Sequence, residues 1–120
     1  MKILIVDDSK AMRLIIMRTL RQAGFGNHTL FEAQNGRDAL RVMQQNVPDL
    51  ILCDWNMPDM SGISLLEMLR TNHCDIRFGF ITSEASFALH KVATEAGASF
   101  VLTKPFTPEQ VQDTLGPILA

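Results

Sequence analysis

Apolar residues in this chain are concentrated in five short runs separated by longer mixed segments. The runs are Lys2–Val6, Thr29–Ala33, Leu50–Cys53, Phe78–Thr82 and Phe100–Thr103. Their length and their content of Ile, Val, Leu and Phe are typical of strands covered on both faces. The first, third and fifth runs are almost continuously apolar, which favours central positions in a sheet. The second alternates and favours an edge.

The segments between the runs repeat apolar residues every three or four positions, as amphipathic helices do. Ser9 is placed to cap the first helix and Gly24 to end it. A fourth helix is expected over 86–96, and a fifth begins with Pro108 and should fray at Gly116-Pro117. The repeating positions are Met12, Ile15, Ile16, Thr19, Leu20, Ala39, Leu40, Met43, Ile63, Leu66, Leu69, Val111 and Leu115. Alternating strands and helices predict an α/β fold with a doubly wound parallel sheet.

Length and composition bound the domain count and the class of partner. The 120 residues suit one domain over 1–120, and the predicted elements use all of them, so we expect no output domain. With 11 basic and 13 acidic residues, the chain resembles neither a nucleic-acid binder nor a polybasic membrane protein. No signal peptide or membrane-length apolar run is present, and Cys53 and Cys74 show no disulfide or metal-binding pattern. We therefore expect a cytoplasmic protein.

Polar residues follow four of the five predicted strands at the point where each strand ends. They are Asp7-Asp8 after the first, Asp54 after the third, Thr82-Ser83 after the fourth and Lys104-Pro105 after the fifth. In a doubly wound sheet, ligands bind at the carboxyl ends of the strands, near the reversal of strand order. Three carboxylates, two hydroxyls and an ammonium group should therefore converge on one rim of the sheet.

Two like charges about 4 Å apart repel by roughly 4 kcal/mol at an effective dielectric of about 20. Three neighbouring carboxylates therefore destabilise each other unless a cation binds between them. An all-oxygen site open to water suits Mg²⁺. A bound Mg²⁺ with Lys104 and Thr82 opposite it provides the groups that phosphoryl transfer requires. Asp54 would be the nucleophile. Taken singly, Asp7-Asp8 could be helix caps, Thr82 a strand end and Lys104-Pro105 a loop. Their joint occurrence favours the site.

Four segments carry a resemblance to a known family: Asp7-Asp8, LILCDWNMPDMSG, FITSEA and LTKPF. Together they resemble the response-regulator receiver family of two-component signalling, over essentially the whole chain. The segment DWNMPDMSG is especially similar to that of the chemotaxis members. The resemblance implies a flavodoxin-like (βα)5 fold with five parallel strands in the order 2-1-3-4-5. It also implies a phosphoprotein that is phosphorylated by a sensor histidine kinase or a phosphotransfer protein and then binds a downstream protein target.

The resemblance assigns a role to each site residue. Asp54 is the implied phospho-acceptor. The implied Mg²⁺ ligands are Asp8 and Asp54 directly, Asp7 through water, and Asn56 through its backbone carbonyl.

On the phosphate side, Thr82 and Ser83 are the implied hydroxyl positions and Lys104 is the implied cation. The Lys104-Pro105 peptide bond is implied to be cis. Asn56 and Glu84 match the positions that tune dephosphorylation in the family, which implies a short-lived phosphoryl group.

One position departs from the family pattern. The family usually carries Tyr or Phe three residues before the Lys, as a ring that rotates inward upon phosphorylation, and this chain has Val101 there and no Tyr at all. Phe100 is adjacent but should point to the opposite face of its strand. We hypothesise that Thr82 and the loop after it, rather than Val101, couple the site to the implied output face, formed by the fourth helix, fifth strand and fifth helix.

Several alternatives share part of this pattern. A flavodoxin-like cofactor binder needs a Gly- and hydroxyl-rich phosphate loop where this chain has DDSKAM, and an aspartyl-phosphate hydrolase needs a second Asp that DWNMP lacks. A receiver that works without phosphorylation, and a fragment of a longer regulator, stay open. We expect a signalling module whose only chemistry is self-phosphorylation and self-dephosphorylation. It should be a monomer, or a dimer on activation, with no DNA binding or membrane insertion.

Overall fold

The computed structural model describes residues 1–84 and 86–119, and Ala85 of the FITSEA segment lies outside them. The strands are β1 (Lys2–Val6), β2 (Thr29–Ala33), β3 (Leu50–Asp54), β4 (Arg77–Thr82) and β5 (Phe100–Thr103). The helices are α1 (Lys10–Leu20), α2 (Gly36–Gln45), α3 (Gly62–Thr71), α4 (Phe87–Glu95) and α5 (Pro108–Leu119). All strand pairs are parallel, in the order β2-β1-β3-β4-β5. The predicted doubly wound fold is confirmed.

All five helices begin after a residue whose side-chain oxygen accepts a backbone N–H three residues further along. The capping residues are Ser9, Asn35, Ser61, Ser86 and Thr107. At its other end, α1 is extended by a π-helical turn over Arg21–Phe25, in which Gly24 has a φ of 97°. Side chains other than Gly rarely adopt that conformation, so Gly24 ends the helix as predicted.

Two hydrophobic layers cover the sheet, one on each face. Alternate residues of each strand point to opposite faces: Ile3, Ile5, Leu50 and Leu52 pack with α1 and α5. Their neighbours Leu4, Val6, Ile51 and Cys53 pack with α2, α3 and α4. Asp7, which follows β1, and Asp54, the last residue of β3, are therefore presented at the rim by strands that are buried on both faces.

The sequence prediction of a central fifth strand is wrong, because β5 lies at the edge of the sheet beside β4. Helices cover both faces of this edge strand, so its side chains are apolar all the same. Phe100 and Leu102 belong to the layer of α1 and α5, while Val101 packs on the layer of α4. Phe100 and Val101 therefore point to opposite faces, as predicted.

Two details of the helices also differ from the prediction. The buried residues of α1 include Ile16 and Met17, whereas Ile15 is 48% exposed, because spacing alone does not decide which of two adjacent apolar residues faces the core. The last turn of α5 stays helical through Pro117, where Arg77 donates a hydrogen bond to the carbonyl of Ile118 at 2.7 Å. Within the described ranges, no helix has both the length and the apolarity to cross a membrane.

Candidate functional site

Three carboxylates meet at the carboxyl edge of the sheet, between β1 and β3, where the strand order reverses. Asp7 and Asp8 follow β1, and Asp54 is the last residue of β3. One oxygen of each carboxylate lies within 4.8 Å of the other two. Asp7 and Asp54 are buried while Asp8 is exposed, so the cluster has a protein side and a solvent side.

Lys104 brings a cation to the same cluster from the end of β5. Its Nζ lies 3.5 Å from Oδ2 of Asp7 and 3.5 Å from Oδ1 of Asp54. The backbone N–H of Lys104 donates to the carbonyl of Thr82 at 2.6 Å, which aligns the ends of β5 and β4. The Lys104-Pro105 peptide bond is cis. The structure thus brings the ammonium group and the carboxylates together, as the strand-end argument predicts.

The environment of Asp54 disfavours its negative charge. Burial raises the pKa of the Asp54 carboxyl above its ordinary value, and the charge of Asp7 raises it further. Lys104 and the backbone amide of Asn56 lower that pKa, but their effect is the smaller one. A carboxylate in this position gains stability from any additional cation that reaches it.

The donor set of the cluster fits Mg²⁺. All three side chains offer oxygen, the ligand atom that Mg²⁺ requires, and exposed Asp8 leaves one side open to the waters that this ion retains. Asp7 is fixed in place because its Oδ1 accepts the N–H of Ser9 at 2.9 Å. The residues present are therefore compatible with the metal that the sequence predicts.

The hydroxyl side of the site lies at the end of β4. Thr82 is 1% exposed, and its Oγ1 accepts the backbone N–H of Glu84 at 3.1 Å. Ser83 and Glu84 are exposed, and Asn56 is exposed on the loop after β3. The two positions expected to tune dephosphorylation are therefore both open to solvent.

Two cavities border the residues that follow Thr82, one at Ser83 and one at Glu84. An apolar cavity of about 400 Å³ is lined by Met12, Ile15, Ser83, Lys104, Pro105 and Phe106. A second, of about 300 Å³, lies between α4 and β5, and Val101, Phe87 and His90 are among its lining residues. Val101 is half-buried and lines this space without filling it.

Two features of the site were missed in the sequence. A Cβ on Gly62 would lie 2.4 Å from the carbonyl oxygen of Asp54, so only Gly lets α3 start this close to the acceptor strand. Arg13 donates from Nη1 to the carbonyl of Asp7 at 2.6 Å and from Nε to Glu32 at 2.9 Å. The position of Gly62 just after Ser61 was a usable signal for the first feature. Nothing in the sequence pairs Arg13 with Glu32.

Comparisons with known proteins agree with this geometry. The response regulator receiver domain family matches residues 3–116. Chemotaxis protein CheY1 of Helicobacter pylori is 36% identical, over 99% of this chain and 97% of that protein. A probable chemotaxis protein CheY of Rhizobium etli is 38% identical, over 92% of this chain and 86% of that protein.

Among solved structures, chemotaxis protein CheY4 of Vibrio cholerae has the same fold. It superposes with a TM-score of 0.85 at 33% identity, covering 98% of this chain and 97% of that one. The family match and these full-length similarities agree with the strand order and with the acidic cluster at the rim. The chain therefore belongs to the response regulator receiver domain family, with a CheY-like fold.

Proposed function

We propose that this protein is a phosphoryl-accepting response regulator in which Asp54 receives the phosphoryl group. The observation that carries the proposal is the environment of Asp54: a buried carboxylate next to two others, with the Lys104 ammonium 3.5 Å away. A purely structural Asp at a strand end needs none of these neighbours. The site of a flavodoxin-like phosphate binder would instead avoid the two carboxylates of Asp7 and Asp8.

The donor is a phosphohistidine on a histidine kinase or a phosphotransfer protein. An oxygen of Asp54 attacks the phosphorus, the P–N bond breaks, and the imidazole nitrogen keeps the electron pair and takes up a proton. The product is an acyl phosphate on Asp54. Lys104 pairs with the phosphoryl oxygens, and the hydroxyl of Thr82 turns from the N–H of Glu84 to donate to one of them, with Ser83 beside it.

Mg²⁺ would be held by Asp7, Asp8, Asp54 and the backbone carbonyl of Asn56. When bound, it neutralises charge on the transferring group. Asn56 and Glu84, both exposed, stand at the positions that tune dephosphorylation in the family, and we expect a short-lived phosphoryl group on that basis. The protein is a signalling module, and self-phosphorylation and self-dephosphorylation are its only reactions.

The output is a change in protein binding at the face formed by α4, β5 and α5. Thr82 connects the site to that face, because its hydroxyl holds the N–H of Glu84 just before α4 and its carbonyl holds the N–H of Lys104 just after β5. The relatives named for chemotaxis suggest that the target belongs to such a system. We propose that this receiver domain acts in the cytoplasm as a monomer, with dimerisation on activation as the alternative.

Intact-mass measurement after incubation with a small-molecule phosphodonor tests the proposal. The wild-type protein should gain one phosphoryl group when Mg²⁺ is present, and none after chelation of the metal. The Asp54→Asn variant should gain none under either condition. Failure of the folded, Mg²⁺-bound wild type to gain mass would instead favour a receiver that works without phosphorylation or one that depends strictly on its kinase.

A further inference from the structure

Arg13 on α1 connects three elements next to the acidic cluster. Its side chain is only 13% exposed, although Arg is almost never buried unless it is paired. The guanidinium donates from Nη1 to the backbone carbonyl of Asp7 at 2.6 Å and from Nε to Oε1 of Glu32 on β2 at 2.9 Å. One side chain thus ties the start of α1 to the ends of β1 and β2.

The carbonyl of Asp7, to which Arg13 donates, lies where β1 ends and the peptide to Asp8 begins. The N–H of Asp7 donates to the carbonyl of Ala33 at 3.1 Å, which is the last bond between β1 and β2. Asp7 is 1% exposed, so its carbonyl needs a partner from the protein. The peptide unit between Asp7 and Asp8 is planar. A partner that fixes this carbonyl therefore fixes the plane from which Asp8 extends.

We infer that Arg13 is a positioning residue for the divalent cation, because it orients the peptide that carries Asp7 and Asp8. The inference rests on the proposed function, in which these residues hold Mg²⁺. The carboxylate of Asp7 has two other supports, the N–H of Ser9 and the ammonium of Lys104. Asp8 is exposed, so the direction of its carboxylate depends on the backbone that Arg13 holds.

Glu32 makes this arrangement compatible with a cation. An unpaired guanidinium beside the cluster would repel Mg²⁺, whereas a guanidinium paired with Glu32 contributes little net charge. The two effects of Arg13 on metal binding therefore have opposite signs. If its charge dominates, removal of the side chain tightens Mg²⁺ binding. If its hydrogen bond to Asp7 dominates, removal weakens it.

The Arg13→Met variant separates these two outcomes, because it keeps an unbranched apolar side chain and loses all donors. Mg²⁺ titration at constant ionic strength can be followed by the fluorescence of Trp55, the single Trp, which directly follows Asp54. We expect Kd for Mg²⁺ to rise about tenfold, the low end for groups that orient metal ligands. Lys10→Met is the matched control, since it removes an exposed positive charge from the same helix. Its Kd should stay within about twofold of wild type or fall, because exposed charges are screened.

Two further variants keep the test decisive if Arg13→Met does not fold in a circular dichroism check. Arg13→Lys retains the positive charge but cannot donate to both the Asp7 carbonyl and Glu32 as the guanidinium does. Its Kd for Mg²⁺ should also rise. Glu32→Gln retains an acceptor for Nε of Arg13 but leaves the charge of Arg13 without a counter-charge. This variant should lose less Mg²⁺ affinity than the Arg13 variants, and the loss should disappear at high salt because salt screens the charge. Mg²⁺ affinity in the Arg13 variants equal to or above that of wild type would overturn the inference. A wild-type protein that gave no Mg²⁺ response, either in fluorescence or in Tm, would overturn the proposed function itself.

Discussion

At the scale of single residues, the site combines groups that would destabilise the protein if each stood alone. Asp54 is buried beside Asp7, and its pKa is raised by burial and by the Asp7 charge. Asp7, Asp8, Asp54 and Lys104 were predictable because each follows a strand, and parallel strands end on a common rim. The contacts of Arg13 were not predictable, because they depend on how α1 packs beside β2.

The raised pKa of Asp54 predicts that Asp54→Asn stabilises the metal-free protein at pH 7. The charged form is disfavoured in the folded state, so its cost is present above the raised pKa and disappears as the pH falls through that pKa. We therefore expect the variant to melt at a higher Tm than the wild type. Thermal melts in the presence of a chelator measure this.

Two comparisons make the melting experiment specific. Asp113→Asn, at an exposed position on α5, should leave Tm unchanged. The gain from Asp54→Asn should shrink at low pH, and Mg²⁺ should stabilise the wild type more than the variant, because only the wild type keeps the complete ligand set. A lower Tm for Asp54→Asn in chelator at pH 7 would contradict the stated cause.

At the scale of elements, the pattern of apolar runs gave three strands with their observed bounds, Lys2–Val6, Thr29–Ala33 and Phe100–Thr103. Periodicity did not reveal that β5 is an edge strand, because helices on both faces make an edge strand as apolar as a central one. It also did not reveal that Arg77 supports the last turn of α5, since that contact joins residues far apart in sequence. Local patterns predict elements, whereas contacts between elements need the fold.

The close approach of α3 to β3 predicts that Gly62→Ala damages the site. The added Cβ would meet the carbonyl oxygen of Asp54 at 2.4 Å and the ring of Phe80 at 2.9 Å, and a backbone oxygen moves only with its strand. We expect a loss of about 1–3 kcal/mol in the free energy of unfolding and weaker Mg²⁺ binding. Urea denaturation and Mg²⁺ titration measure the two effects.

A second glycine provides the matched control for this substitution. Gly116 lies in α5, and apart from its two neighbours in the chain a Cβ there would meet nothing within 4 Å. Gly116→Ala should leave Mg²⁺ affinity unchanged, and any change in stability should come only from the contact of the new Cβ with Pro117, the next residue. If Gly62→Ala matched wild type in both measurements, the close approach of α3 would not constrain the site.

At the scale of the whole molecule, the parallel sheet places the acceptor Asp54 on one side of the end of β4 and the proposed output face on the other. Asp54 ends β3, Thr82 ends β4, and β5 follows at the edge with α4 and α5 on either face. Thr82 contacts Glu84 before α4 and Lys104 after β5, and the ammonium group of Lys104 lies 3.5 Å from Oδ1 of Asp54. Val101 packs on the α4 side and lines a cavity that it does not fill.

This arrangement predicts that Thr82→Ala uncouples phosphorylation from the output face, whereas Val101→Ala has little effect. Without the hydroxyl, the N–H of Glu84 loses its partner and the phosphoryl group has no donor from β4, so phosphorylation no longer changes the start of α4. Amide NMR spectra with and without the phosphodonor and Mg²⁺ measure this. Wild type and Val101→Ala should show shifts across α4, β5 and α5, and Thr82→Ala should show shifts confined to the surroundings of Asp54. Equal loss of the remote shifts in both variants would contradict the assignment, because Val101 would then transmit the signal as effectively as Thr82.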